Sequence, residues 1–141
     1  MPTPEDCKLL QTAYASFNRR DIDATLRTMH PEVHWPNGME GGWVNGHAAV
    51  REYWTRQWGL IDPHVEPVGF TDEPGGRITV SVQQTVRDLD GQILMDRLVE
   101  HVYRIESGLI VAMEIREPEA GNEWAFAARG KSVLSRSPYC L

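Results

Sequence analysis

His101 lies in the stretch "QILMDRLVEHVYRI", whose alternation is that of a long strand. A period of two places Arg97, Val99, His101 and Tyr103 on one face. Imidazole has its ordinary pKa near neutrality, so burial or a neighbouring charge can make it a general acid, a base or a hydrogen-bond donor. Arg97, four residues earlier, could steady an anionic group on a ligand. Glu117, at the end of the last strand-like segment, carries a carboxyl that apolar surroundings would raise towards the range of a general base. Each residue also has a purely structural reading: a histidine bonded to a neighbouring element, a rim or interface arginine, a solvated strand-end carboxylate. The residues alone leave both readings open.

A second group is suited to binding rather than chemistry. Trp35, Trp43 and Trp54, with Met29, Tyr53, Tyr103 and Met113, are the aromatic and thioether side chains that grip flat apolar molecules. They are equally the side chains that fill cores. Gln84 interrupts the apolar face of "RITVSVQQTVRD", and a buried amide needs partners, either a ligand or another strand. In "VHWPNGMEGGWVNG", residues 33–46, a strand ends at Trp35-Pro36 and a glycine-rich loop follows. Its glycines permit a tight path across a pocket mouth, with Asn37 and Glu40 as polar members of a lid. His34 alternates with Trp35 and should point the other way.

Other chemistries lack their motifs. The five histidines form no H-x-H or H-E-x-x-H spacing, so no metal site is expected. No phosphate-cradling glycine loop ends in Lys-Ser/Thr, and there is no G-x-S-x-G elbow. Chemistry without a cofactor is the expectation.

The elements that must position these groups change period once. Thr3, Pro4, Glu5 and Asp6 form a helix start, and Leu10, Ala13, Tyr14 and Phe17 recur at helical spacing. Asp21 caps a short second helix carrying Ile22, Leu26 and Met29, which His30-Pro31 should stop. Residues 32–36 are expected as a strand, and a third helix after Gly46 carries Val50, Tyr53, Trp54 and Trp58. Beyond Pro63 the pattern is strand-like: 65–70, with Pro67 implying an edge or a bulge, then three long strands with turns at 88–91 and 107–108. The predicted fold class is α+β, three N-terminal helices packed on a strongly curved antiparallel sheet. The domain is expected over residues 1–118, with a loosely ordered tail over 119–141. The 141 residues suit one core, and 14 Lys plus Arg against 20 Asp plus Glu, with no basic run, argue against nucleic acid as a partner. No apolar segment is long enough for a membrane span, and two isolated cysteines suit a reduced, cytoplasmic protein.

The segments "YASFNRRDIDATLRTMHPEVHWP", "NGHAAVREYW" and "HVYRIESGLIVAMEIRE" resemble the nuclear-transport-factor-2-like superfamily, in its branch of ketosteroid isomerases and SnoaL-like polyketide cyclases. The resemblance spans roughly residues 4–117. It implies a cone with a deep, mostly apolar pocket, into which the His101 face and Trp54 would look and on whose rim Glu117 would lie. It also implies a homodimer paired sheet to sheet, in keeping with apolar residues on the opposite strand face, Leu94, Leu98 and Val102. The steroid isomerases' catalytic Asp, just before the Pro that ends the first strand, corresponds to Trp35. Their helix tyrosine corresponds to Ala13, with Tyr14 one residue away. Their second acid corresponds to His101 if the following turn is one residue shorter, otherwise to Glu100. These departures argue against steroid isomerisation as such. The expected function is a cofactor-free isomerase, cyclase or dehydratase-like enzyme acting on an apolar ring-containing substrate. The alternative is a non-catalytic ligand-binding or dimerisation module. A second ionisable group facing His101 would favour catalysis.

Overall fold

The computed structural model describes residues 3–38 and 40–116. Helix α1 (Pro4–Asn18) begins where expected: Thr3 Oγ1 accepts from Asp6 N–H at 3.0 Å, and Pro4 needs no hydrogen-bond partner for its nitrogen. Leu10, Ala13, Tyr14 and Phe17 form its buried stripe. Asp21 caps α2 (Ile22–Leu26) through Ala24 N–H. Arg20, between the two helices, has φ 65°, a conformation costly for a side chain with a Cβ. Its guanidinium lies over the rings of Phe17 and Trp58 and bonds Asp62 and the Pro63 carbonyl, which holds the turn.

Strand β1 (Met29–Pro36) starts earlier than predicted, since the residue before Pro31 is already extended. After β2 (Trp43–Asn45) comes α3 (His47–Trp58), which buries Val50, Tyr53, Trp54 and Gln57. So the third helix follows two strands. The chain then runs through β3 (Asp62–Glu73), β4 (Arg77–Arg87), β5 (Ile93–Glu106) and β6 (Leu109–Arg116). The fold is α+β: three helices among the described residues and one open six-stranded sheet ordered β2-β1-β6-β5-β4-β3.

The sheet is mixed, which corrects the expected all-antiparallel one. β6 pairs β5 antiparallel and β1 parallel. The first strand and the last are brought side by side only by the tertiary fold, and no local pattern announces that pairing. Pro67 fulfils both alternatives set for it: β3 is an edge strand, and its register slips between Pro67 and Gly69.

On the inner face, Ile78, Val80, Val82, Gln84 and Val86 of β4 are all buried, as alternation predicts. Opposite them on β5 stand Tyr103, His101, Val99, Arg97 and Met95. Strict alternation on β6 breaks at its start, where a register shift between Arg104 and Ile105 sets Ile110 against the core. Ile93, in step with Arg97 and Val99 by the period of two, is exposed at the tip of the β4–β5 hairpin. The core between helices and sheet joins Leu10, Phe17, Leu26, Trp54, Val80 and Val99, among others. No helix among the described residues is long and apolar enough to cross a membrane. The segment 119–141 and Glu117 lie outside the described residues.

Candidate functional site

Tyr14 stands in the middle of α1 on its buried stripe, and His101 and Tyr103 share the inner face of β5. The three meet. Tyr14 Oη lies 2.7 Å from His101 Nδ1, and Tyr103 donates its hydroxyl to Tyr14 Oη at 2.8 Å. The Tyr14 and His101 rings stack at 5.8 Å, and Tyr103 stands edge-on to Tyr14. His101 has no solvent exposure. Burial disfavours its charged form and lowers its pKa from 6.5 to about 3, so the ring is neutral near pH 7. Burial likewise raises both tyrosine hydroxyls, keeping them protonated. His101 Nε2 is buried and bonds nothing among the described residues. A buried polar atom without a partner costs about 1–3 kcal/mol, which marks this nitrogen as one to explain.

Aromatic rings close round the group. Trp35 packs edge-on to Trp54 at 5.6 Å and lies 6.4 Å from Tyr103, and Phe17 meets Trp54 at 5.2 Å. The indole nitrogens of Trp35 and Trp54 are also buried without a partner among the described residues. Tyr14, Trp35, Trp54, Tyr103, Met29 and Phe17 line a void of about 10 Å³, room for about one water molecule. Among the described residues no carboxylate lines it. Of the predicted residues, Tyr103, Trp35, Trp54 and Met29 line this void, and His101 joins them through its bond to Tyr14, outside the lining itself. Met113 is buried opposite Tyr103 in the β5–β6 register.

Other predicted residues stand elsewhere. Gln84 and Arg97 face each other across β4 and β5, four residues along the strand from the Val80–His101 pair and so roughly 13 Å away. Tyr53 is buried, but its Oη accepts from Gly38 N–H at 3.0 Å and from Gln57 Nε2 at 3.2 Å, so it anchors the loop after β1. Trp43 is 48% exposed and stacks on His34 at 3.9 Å. The register explains why: Trp43 opposes Pro36, which puts it on the face of His34 and away from that of Trp35. His34 points outward as expected. Glu117 lies outside the described residues.

The glycine-rich loop is tied down. Asn37 Oδ1 accepts from Glu40 N–H at 2.8 Å, Asn37 Nδ2 donates to Glu40 Oε1 at 3.0 Å, and Arg56 of α3 reaches the same carboxylate at 2.9 Å. Among the described residues no cluster of three His, Cys, Asp or Glu could hold a metal ion.

Tyr14 is the site residue the sequence reading passed over. Its signal was present: the helical stripe buries it, and a buried phenol needs a partner for its hydroxyl.

Comparison with known proteins follows the same outline. No curated protein matches the chain in sequence at a significant level. TerC, crystallised with polyporic acid, superposes with TM-score 0.70 at 27% identity, over 85% of this chain and 96% of that one. A nuclear-transport-factor-2-like protein of unknown function from Burkholderia pseudomallei gives TM-score 0.71 at 27% identity, over 88% and 97%. A candidate polyketide cyclase from Xanthomonas campestris pv. campestris gives 0.69 at 20% identity, over 85% and 93%, and is similar in fold alone. Residues 10–113 match the SnoaL-like domain, a span that runs from the buried stripe of α1 to Met113 on β6, and the chain belongs to that family.

Proposed function

We propose that the chain is a cofactor-free small-molecule enzyme of the isomerase or cyclase type, acting on an apolar ring-containing substrate, with His101 as the polar group that meets it. The observation that carries this reading is the fully buried imidazole, held at Nδ1 by Tyr14 and unbonded at Nε2 among the described residues. Tyr14, bonded to His101, and Tyr103, bonded to Tyr14, are the further ionisable groups of this cluster. A neutral ring in an aromatic surround can polarise or protonate an oxygen of a bound molecule. TerC, at 27% identity and crystallised with polyporic acid, supports the small-molecule part of the reading. A ring-sized ligand needs a pocket of about 300 Å³ or more, so Trp35 and Trp54 must part to admit it and open the deep apolar pocket of a cone. Glu117 keeps its proposed role as base at the rim. Pairing of two copies through the sheet, and a reduced cytoplasmic setting for the free thiol of Cys7, complete the reading.

The water-sized void without a carboxylate favours the second reading, a non-catalytic binding or dimerisation module. A thermal-shift screen of steroids, polyketides and small terpenoids supplies the ligand. His101→Gln then separates the readings, because glutamine can still bond Tyr14. In an enzyme, turnover is expected to fall by roughly two to four orders of magnitude with the fold kept. In a binding module, affinity should change by only about 1 kcal/mol. Turnover unaffected by the substitution rules out the catalytic role.

A further inference from the structure

Each phenol has one hydroxyl proton. That of Tyr103 is committed to Tyr14, at 2.8 Å. Tyr14 Oη, already accepting, has its own proton to give, and its other partner is His101 Nδ1 at 2.7 Å. Nδ1 therefore accepts. A neutral imidazole carries one ring proton, and with Nδ1 accepting that proton is on Nε2. Nε2 is the atom left buried and unbonded among the described residues.

We propose that Tyr103 is a positioning residue which, through Tyr14, holds His101 as the Nε2–H tautomer, so that the site offers an imidazole N–H donor to an acceptor oxygen, carbonyl or enolate, of its ligand. The ligand clause rests on the functional reading above; the tautomer does not. The consequence is a division of roles. The Tyr14 hydroxyl is spent on His101 and does not itself reach a ligand. Trp35, which lines the void, carries a further N–H donor, buried and unbonded among the described residues. The site is thereby matched to molecules that bring acceptors and mismatched to those that bring donors.

The test is NMR on the full chain at pH 7 with 15N-labelled histidine, His101 being assigned by its disappearance in His101→Gln. Expected in the wild type is a pyridine-type Nδ1 and a pyrrole-type Nε2, with the Tyr14 hydroxyl proton coupled through its hydrogen bond to Nδ1. In Tyr103→Phe, Tyr14 is freed to accept from the ring, and the single tautomer should give way to a mixture. A protonated Nδ1 in the wild type overturns the proposal, whether or not any variant folds. An unchanged single tautomer in Tyr103→Phe overturns the positioning role of Tyr103. Neither result bears on whether the protein turns over a substrate. A protonated Nδ1 would leave Nε2 as a possible base and the enzyme reading intact. Conversely, the expected tautomer together with His101→Gln unchanged in turnover would sink the enzyme reading and leave the tautomer standing.

Discussion

At the scale of the residue, the cost of His101 can be measured without knowing a ligand. Its pKa falls from 6.5 to about 3 on folding. Above pH 6.5 both folded and unfolded forms are neutral at this position, and it contributes no pH dependence. Below 6.5 the unfolded chain binds a proton that the folded protein refuses until about pH 3. Stability is therefore expected to fall across that window, by about 1.4 kcal/mol for each unit of separation. Urea unfolding at pH 7 and pH 4.5 checks this: the wild type should lose more stability between the two than His101→Gln does. Parallel losses would show that His101 titrates as an exposed histidine. The residue was legible in the sequence as an imidazole on an inward face, because alternation over β5 is regular from Met95 to Tyr103. Its partner Tyr14 is legible only through the helical stripe that buries it, since its bond to His101 spans 87 residues. The face of Trp43 is not legible, because it depends on how β2 pairs with β1 and three residues of strand carry no readable alternation.

At the scale of the element, the outer face of the sheet is held by charge. Arg116 at the end of β6 donates to Glu73 of β3 at 2.6 Å, to Glu100 of β5 at 2.9 Å and to Thr79 of β4 at 3.3 Å. Arg77 faces Glu114 alongside. Val102 and Thr79 share this face and are buried, as expected if such long side chains fold their stems over them. Part of the apolar stripe read from the sequence is thus covered from within. Arg116 holds the Glu73 carboxyl down, with its pKa lowered from 4.5 to about 2. A depressed carboxylate contributes stability that is fully present above 4.5 and is lost as pH falls towards 2. Glu73→Gln should accordingly be less stable than the wild type at pH 7 and match it at pH 2, by chemical or thermal unfolding. A constant difference across that range would mean that the pair does not act through charge. Arg116 and Glu73 lie 43 residues apart, and the register shifts at Val86–Arg87 and Arg104–Ile105 intervene, so no spacing in the chain could have announced the contact.

At the scale of the whole molecule, the order of helices and strands, β2 apart, was readable from the change of period near Pro63, and the mixed sheet was not. β1 and β6 are distant in sequence, and their parallel pairing is a property of the whole fold. The same limit applies to assembly, which the sequence suggests only through surplus apolar surface. With Val102 covered, that surplus on β5 and its hairpin is Leu98 at 37% exposure, Leu94 at 43%, and Ile93 and Leu89 at the β4–β5 tip. Leu94 and Leu98 flank Asp96, which is engaged by Gln83 and Thr85 and so presents a fixed polar group between two greasy ones. A second copy related by a two-fold axis could cover this strip with its own, since an isologous interface needs only self-complementarity. Light scattering at micromolar concentration is expected to give the mass of a dimer. The double substitution Leu94→Glu with Leu98→Glu should give a folded monomer, because four like charges would face one another where apolar surface was buried. Both residues are already exposed in the single chain, so circular dichroism should be unchanged. A monomeric wild type, or a dimer indifferent to both charges, would move the interface off this strip.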